Sequence, residues 1–310
     1  MDISIAEQNL SWLLEPENPS VRYWTLVDLL ERPADDPQVV ETRRLIQAMP
    51  MVVELLSKQQ AGGYWGEDET KPTKADGTGG VLSMLCLLGA SLDAQTTMGC
   101  ESFLRNAQNE CGGISMVKRQ RSGIFPCITG SNLNFLVYFG YGDDPRLRKA
   151  FAFLIEAALG ADPLDCGRYN HRACLWGAIA ALDGLAVLPV EMRSAESGEA
   201  VRRMAEALLS AKYDFEGEHK RWLTSGVPRT WNLGTSLLAL ARHEYAGDPR
   251  FEPLLERFMG CRDEQGRWLC GSVSRTWPLE KRNRPSKWVT LDGLRLMKAA
   301  GRKEITNKEI

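Results

Sequence analysis

Two kinds of helical segment alternate along this 310-residue chain, and this alternation restricts the fold more than any other feature. Segments of the first kind carry apolar residues at positions i, i+3, i+4 and i+7. That spacing is typical of an amphipathic helix with one buried face. Three sets have this spacing: Leu147, Ala150, Phe151 and Leu154; Val201, Met204, Ala205 and Leu208; and Phe251, Leu254, Leu255 and Phe258.

Segments of the second kind are apolar on nearly all sides, as in Val81 to Ala90 and Leu175 to Leu188, so we expect them to be buried. Six such candidate inner helices begin near residues 20, 80, 129, 172, 229 and 286. Buried helices that alternate with half-exposed ones predict two layers, an inner ring wrapped by an outer ring. No segment shows the period-2 pattern of a strand convincingly, so the predicted fold class is all-α.

Short motifs recur in step with these helices. Tyr141-Gly-Asp-Asp-Pro-Arg146 resembles Tyr245-Ala-Gly-Asp-Pro-Arg250, and both lie between an inner helix and the next outer one. The aspartate-proline pairs in them suit an N-cap followed by proline at the first helical position. A second motif opens three inner helices: Trp24-x-x-x-Asp28, Trp231-x-x-x-Thr235 and Trp288-x-x-x-Asp292.

A glycine-tryptophan turn is the third repeated motif. It reads Gln60-Ala-Gly-Gly-Tyr-Trp65 and Gln265-Gly-Arg-Trp268, with a degraded copy from Gln108 to Ile114. Together these features resemble the prenyltransferase and squalene-oxidase repeat superfamily, which includes terpene cyclases and protein prenyltransferase β subunits. The resemblance covers roughly residues 50 to 295. It implies an (α/α)6 toroid whose central cavity holds an apolar, isoprenoid-like molecule.

The resemblance predicts one toroid domain over residues 1–310, but residues 1–60 fit it least. Asn18-Pro-Ser-Val-Arg-Tyr-Trp-Thr-Leu is also compatible with the start of a HEAT-like helical pair. An open HEAT-like α-solenoid is therefore the alternative fold.

The chain departs from the family's catalytic motifs. It has no Asp-x-Asp-Asp box of a class II cyclase. Asp143-Asp144 is followed by Leu147 where an Asp-Asp-x-x-Asp magnesium site needs its third aspartate, and Asp165-Cys166 lacks the spacing of the prenyltransferase Asp-x-Cys zinc motif. The resemblance therefore supports the scaffold but does not identify the chemistry.

Three aspartates and three tryptophans are the candidate site residues. Asp28, Asp183 and Asp292 each lie inside an apolar helical run, where a protonated carboxyl group can act as a general acid. A structural bond to a loop or an arginine is the alternative for each. The tryptophans open inner helices, where their faces would line a cavity and stabilise a carbocation, or would simply pack the core. They are Trp24, Trp231 and Trp288.

A cluster of thiols is the candidate metal site. Cys166, His171 and Cys174 precede the fourth inner helix, and Cys127 precedes the third. Four such ligands would suit a structural zinc ion, although the spacing is not a standard one and free cysteines are commonly just buried. The sequence predicts no other cofactor.

Charge and composition restrict the partners and the cell compartment. The net charge is −2, whereas nucleic-acid binders usually carry a basic surplus. No apolar run reaches the ~18 residues of a membrane span, and the first residues lack the pattern of a signal peptide. Eight cysteines without an export signal favour reduced thiols, so we expect a cytoplasmic protein that binds no nucleic acid.

Two functions follow from these features. The first is a terpene cyclase-like protein that binds an isoprenoid-like molecule and cyclises or isomerises it by acid catalysis. The second is a non-catalytic helical scaffold for protein or lipid binding, which the missing acid boxes and the HEAT-like start favour. The first predicts an acid and at least two aromatic rings at a cavity of about 300 Å³ or more.

Overall fold

The computed structural model describes residues 3–118, 125–161, 174–227 and 231–302. Over these residues it contains thirteen α-helices and one pair of short strands, so the predicted all-α class is confirmed. The helices are Ile3–Leu13 (α1), Pro19–Trp24 (α2), Pro37–Gln47 (α3), Pro50–Ser57 (α4), Thr78–Leu88 (α5), Ala94–Ala107 (α6), Pro126–Leu136 (α7), Pro145–Leu159 (α8), Leu175–Leu185 (α9), Ala195–Leu209 (α10), Leu233–Arg242 (α11), Phe251–Met259 (α12) and Lys287–Ala299 (α13).

Short elements complete the secondary structure of the described residues. A π-helical turn continues α2 over Thr25–Leu29, and another continues α7 over Val137–Tyr141. The two strands are Ser225–Val227 (β1) and Cys270–Val273 (β2), which pair in parallel and which the sequence did not predict. Three single 3₁₀ turns cover Val190–Met192, Lys220–Leu223 and Tyr245–Gly247.

All six predicted inner helices form, as α2, α5, α7, α9, α11 and α13, and each begins within four residues of its predicted start. Burial separates them from the outer helices as expected. Every residue from Ala178 to Leu185 of α9 is buried. Helix α8 buries one face only, and that face contains the four predicted residues Leu147, Ala150, Phe151 and Leu154.

Aspartate-proline pairs begin two of the outer helices as predicted. The Asp36 side chain caps α3 and the Asp144 side chain caps α8, each by accepting a hydrogen bond from the backbone N–H two residues on. Asp248 makes the same bond, but α12 begins only at Phe251, so this aspartate closes a turn before the helix. None of the helices in the described ranges combines the length and apolar character that crossing a bilayer requires.

The chain packs as two compact units. The terminal unit comprises residues 1–49, 87–89 and 211–310, and the middle unit comprises residues 50–86 and 90–210.

In the middle unit, the inner helices α7 and α9 lie side by side at a glycine contact. A Cβ atom on Gly130 would lie 2.2 Å from the carbonyl oxygen of Ala180, and one on Gly184 would lie 2.9 Å from the Cα of Gly130. The two backbones can approach this closely only because neither position carries a side chain. Helices α8 and α10 pack against this inner pair.

In the terminal unit, α11 packs against α13, and α13 packs against the π-helical turn that follows α2. Helices α1, α3 and α12 each lie against one of these inner helices. The inner and outer layers predicted from the sequence are therefore present in this unit as well.

The first and last helices of the chain meet in the terminal unit. The Asn9 side-chain amide donates a 2.9 Å hydrogen bond to the carbonyl oxygen of Gln265, and the Arg267 guanidinium lies 4.0 Å from the centre of the Trp12 ring. Lys287 at the start of α13 forms an ion pair with Glu15 at 2.6 Å. These contacts join the first helix to the segment around α13 within the terminal unit.

The glycine-tryptophan motif forms the same turn in three places. The indole N–H groups of Trp65 and Trp268 donate to the carbonyl oxygens of Leu55 and Phe258, at 2.6 and 3.1 Å. In all three turns the backbone N–H at the tryptophan position donates to a threonine of the next inner helix: Trp65 to Thr78, Ile114 to Thr129 and Trp268 to Thr290.

In the first copy of the turn the glutamine that holds it is Gln59, one residue before the Gln60 of the motif, and in the second copy it is Gln108, the residue with which that copy was predicted to begin. The Gln59 amide donates to the carbonyl oxygen of Gly63 at 3.1 Å, and Gln108 donates to Gly112 at 3.0 Å. Both glycines have φ near +80 to +90°, a left-handed conformation that favours glycine. Gln60 contributes its backbone N–H to the turn instead.

Candidate functional site

Two of the three predicted acids share one arginine in the terminal unit. Asp292 lies on α13, and Asp28 lies in the π-helical turn after α2. Arg295 donates from Nε to Asp28 Oδ2 and from Nη1 to Asp292 Oδ1, both at 2.8 Å, and its Nη2 forms an ion pair with Asp28 Oδ2 at 2.5 Å. This is the structural alternative that the sequence left open for an aspartate in an apolar run.

The local fold explains this arrangement. Asp292 and Arg295 are three residues apart on α13, so their side chains lie on the same face of the helix. The turn that carries Asp28 packs against that face. Burial disfavours the charged Arg295 guanidinium, whose side chain is 15% exposed, but the attraction of Asp28 and Asp292 outweighs burial and raises the pKa of Arg295.

Lys298, one turn further along α13, holds the end of the same π-helical turn. Its Nζ donates to the backbone carbonyl oxygens of Asp28 and Leu29, at 2.7 and 3.1 Å. Carbonyl groups at a helix end lack partners within the helix, so a lysine side chain can satisfy them. Nζ also lies 2.7 Å from Glu31 Oε1, and this hydrogen bond and charge lower the pKa of Glu31.

A cavity of about 400 Å³ lies beside these ion pairs, and we call it the charged cavity. Its volume falls in the range of small-molecule pockets. Five of its lining side chains are charged and three are aliphatic, and none of the three candidate tryptophans lines it. The lining residues are Val27, Asp28, Glu31, Leu238, Arg242, Arg295, Lys298 and Ala299.

Trp24 lies beside Arg295 at the charged cavity, and both Trp24 and Trp288 occupy packing positions. The Trp24 indole donates to the carbonyl oxygen of Leu87 at 2.7 Å, and the Arg295 guanidinium lies 5.4 Å from the centre of its ring. Trp288, at the second position of α13, is 6% exposed. Trp231 precedes α11 and is half-buried. The predicted role of these rings in holding a substrate stays a prediction.

Asp292 also lines a second cavity, of about 10 Å³, beside the N-terminus of α11. Such a volume is at the lower limit for one water molecule. Asn232 and Thr235 line it too, and they form the capping box that begins α11. This space is therefore a small gap beside the helix cap, and it is too small for an organic ligand.

Asp183, the third predicted acid, lies in the middle unit on α9 and is 6% exposed. Its neighbours along the helix are buried apolar residues, including Ile179 and Leu182. The next residue, Gly184, lies at the close contact with α7. Among the three predicted acids, Asp183 is therefore the one that combines full burial with apolar neighbours on its own helix.

The predicted zinc ligands are only partly described. Cys127 and Cys174 are half-buried, near the starts of α7 and α9. Cys166 and His171 lie in the segment 162–173, which is outside the described residues. Among the residues that are described, no group of three or more His, Cys, Asp or Glu side chains is placed to hold a metal ion. The zinc site stays a prediction.

The sequence reasoning missed Glu280, a carboxyl group beside the start of α13. Its Oε1 accepts a weak 3.5 Å hydrogen bond from the backbone N–H of Trp288. Its Oε2 is buried and has no hydrogen-bond partner among the described residues. Burial raises the pKa of Glu280, although Ser286 and the backbone N–H groups of α13 oppose the shift. No periodic pattern marks Glu280, because it lies in a loop.

Arg295, Lys298 and Glu31 were also missed. A sequence signal existed for Arg295, since Asp292 and Arg295 have the i, i+3 spacing of a helical ion pair. Nothing local in the sequence connects Arg295 with Asp28 or Lys298 with Glu31, since each pair is 267 positions apart.

Comparisons with known proteins found distant structural neighbours. No protein-family model and no curated protein matches the sequence. A solved structure of a protein from Actinoplanes is 16% identical, with a TM-score of 0.49, and the match covers 96% of this chain and 99% of that one. A type II terpene cyclase from Scytonema, solved with its substrate geranylgeranyl dihydroxybenzoate, is 12% identical with a TM-score of 0.49. That match covers 97% of this chain and 96% of the cyclase.

Proposed function

We propose that this protein binds an apolar, isoprenoid-like molecule and cyclises or isomerises it by acid catalysis, with Asp183 as the proton donor. The position of Asp183 carries the proposal. Its side chain is 6% exposed and lies in the run of buried residues that ends α9. Asp28 and Asp292 both accept hydrogen bonds from the Arg295 cation, which supports a structural role for these two residues.

The reaction needs a carboxyl group of this kind. Protonation of a carbon–carbon double bond requires a protonated acid, and the resulting carbocation survives only where water is excluded. The burial of Asp183 among apolar side chains supports the exclusion of water that the carbocation needs. A carboxylate bound to a guanidinium is instead the arrangement of a structural ion pair.

Aromatic rings would stabilise the carbocation. The contacts of Trp24 and Trp288 support packing for these two rings.

The test is product formation from isoprenoid probes. Purified protein is incubated with squalene or geranylgeraniol, and products are analysed by gas chromatography and mass spectrometry. We expect cyclised or isomerised product from the wild type and at least about a 100-fold loss of rate in Asp183→Asn, as is typical for removal of a general acid.

Asp36→Asn is the matched control, because asparagine caps a helix as well as aspartate does and Asp36 caps α3. It should retain the wild-type rate. Circular dichroism of Asp183→Asn tests whether this variant is folded. A folded Asp183→Asn protein that turns over a probe at the wild-type rate would contradict the proposal, and so would the absence of any product from the wild type.

The second candidate function is a non-catalytic scaffold that binds a protein or a lipid. The ion pairs of Arg295 favour it, because they give Asp28 and Asp292 a structural role in joining the π-helical turn to α13. It predicts that the wild type forms no product from the probes and that Asp183→Asn changes stability alone.

A further inference from the structure

Residues 213–222, which we call the aromatic loop, form a cluster of rings between α10 and β1 in the terminal unit. Tyr213 lies at the centre of the cluster. The ring of Phe215 is stacked parallel to it with the two centres 5.3 Å apart, and the rings of His219 and Trp222 each lie 5.5 Å from it. Rings at these distances attract one another, so the cluster holds the loop compact.

The aromatic loop joins α12 to the pair of short strands. Arg257 of α12 forms an ion pair with Glu216 of the loop at 2.6 Å. At the other end of the loop, a Cβ atom on Gly271 of β2 would lie 2.6 Å from the Cβ of Thr224, so β2 packs directly on the residue before β1. A change in the loop would therefore also affect the hold on β1.

One imidazole nitrogen closes the aromatic loop. The backbone N–H of Asp214 donates to His219 Nδ1 at 3.1 Å, and the backbone N–H of His219 donates to the carbonyl oxygen of Asp214 at 2.8 Å. Nδ1 can accept a hydrogen bond only while it carries no proton. Once Nδ1 is protonated, it and the Asp214 nitrogen are two donors that face each other, and this bond is lost.

The same nitrogen has a second partner for its protonated state. Glu218 Oε1 lies 3.7 Å from His219 Nδ1, and a nearby carboxylate favours a charged imidazole. The Asp214 carboxylate, which accepts from the backbone N–H of Gly217, adds negative charge in the same loop. The His219 side chain is 15% exposed, so a proton can reach it from the solvent. Nδ1 is thus bound by Asp214 when neutral and attracted to Glu218 when protonated.

Other charged groups near the ring, among the described residues, are exposed or directed elsewhere. Lys220 and Arg221 are exposed in the turn that follows His219, so solvent screens their charges. From α12, Arg257 pairs with Glu216. Helix α11 also packs on this turn, and its one titratable residue, Arg242, lies at its C-terminal end and lines the charged cavity. The response to pH therefore depends on groups within the aromatic loop.

We propose that His219 is a pH-sensitive latch. While the ring is neutral, the bond from Asp214 keeps the aromatic loop closed. Protonation moves Nδ1 to Glu218, opens the loop and loosens its hold on β1. An imidazole is the side chain that ordinarily changes charge between about pH 5 and 8. The latch is independent of the reaction proposed for Asp183, because it requires no ligand and no chemical step.

Hydrogen–deuterium exchange of the full chain at pH 7.5 and 5.0, analysed by mass spectrometry, tests this proposal. Protection factors are corrected for the effect of pH on the intrinsic exchange rate. We expect the protection of peptides from the aromatic loop to fall at least about 3-fold at pH 5.0, while peptides from the buried run of α9 keep theirs. Equal protection of the loop at both pH values would overturn the proposal. An equal fall in α9 would overturn it too, since the whole chain would then be unfolding.

A variant at the latch separates His219 from other titrating groups. In His219→Asn, an amide oxygen takes the place of Nδ1, can accept from Asp214 and takes up no proton. The loop of this variant should stay protected at pH 5.0. His243→Asn is the matched control, because it removes the histidine at the C-terminal end of α11, and it should respond to pH as the wild type does. A wild-type response in His219→Asn would contradict the latch.

Glu218→Gln tests the second partner and decides if His219→Asn lacks protection even at pH 7.5. Without the carboxylate, the protonated ring is less favoured, so the midpoint of loop opening should move about 0.2–0.7 pH unit lower. Glu54→Gln changes the net charge equally on the exposed surface of α4 and should leave the midpoint unchanged. An unchanged or higher midpoint in Glu218→Gln, or an equal shift in both variants, would overturn the proposal.

Discussion

At the scale of single residues, the role of a charged side chain in this protein depends on partners that are remote in the sequence. Asp28 and Asp292 were predicted as acids because each interrupts an apolar run. Their common partner, Arg295, lies 267 positions from Asp28. Hydrophobic periodicity reports which face of a helix is buried, but it carries no information about which helices become neighbours. The candidate acids were therefore predictable, whereas the ion pairs of Asp28 and Asp292 with Arg295 were not.

Glu280 gives a prediction at the same scale. Because burial raises its pKa in the folded state, the folded protein binds this proton more tightly than the unfolded chain does. The stabilisation is complete below the ordinary carboxyl pKa of about 4.5 and is lost as the pH rises through the folded-state pKa. Glu280→Gln, which is always neutral, should therefore gain stability relative to the wild type as the pH rises from 4 to 8.

Urea denaturation of both proteins at several pH values measures this difference. Glu256→Gln, an exposed position on α12, is the control and should show no such trend. A difference between Glu280→Gln and the wild type that stays constant with pH would show that the Glu280 carboxyl is not perturbed by burial.

At the scale of helices, the sequence was most informative where the pattern is local. The inner helices are apolar all round and the outer helices on one face, and both patterns can be recognised within one segment. The α7–α9 contact was not predictable, because it depends on Gly130 and Gly184 meeting across two helices. The turn before α5 was also only partly predictable. The sequence alone did not show that the side chain of Gln59, and not that of Gln60, forms the hydrogen bond that closes the turn.

The glycine contact between α7 and α9 can be tested by adding one methyl group. In Gly130→Ala, the new Cβ would lie 2.2 Å from the carbonyl oxygen of Ala180, so the two helices must separate. We expect the free energy of unfolding to fall by about 1–3 kcal/mol, the usual cost of overpacking.

Gly198→Ala is the matched control. Gly198 is an exposed residue of α10, and a Cβ there meets no atom within 4 Å. This variant should be neutral or more stable by up to ~1 kcal/mol, because alanine favours the helix. Chemical denaturation measures both values, and an equal effect of the two substitutions would contradict the close approach of α7 and α9.

At the scale of the whole molecule, contacts between the first and the last repeat join remote parts of the sequence within the terminal unit. Trp12 meets Arg267, and Lys287 meets Glu15, so the first and last repeats are neighbours. The repeats predicted the alternation of inner and outer helices. Neither the charged cavity nor its ion pairs follow from the repeat pattern. They arise where the first repeat adjoins the last, and a search for similarity between repeats cannot detect a junction that occurs once.

The central claim is that this protein binds an isoprenoid-like small molecule, and native mass spectrometry tests it most directly. Spectra are recorded for the protein as purified and after incubation with farnesol. The account predicts a folded species heavier than the bare chain by the mass of one small molecule, and loss of that mass on denaturation. A folded protein that shows only the mass of the bare chain in both samples would contradict it.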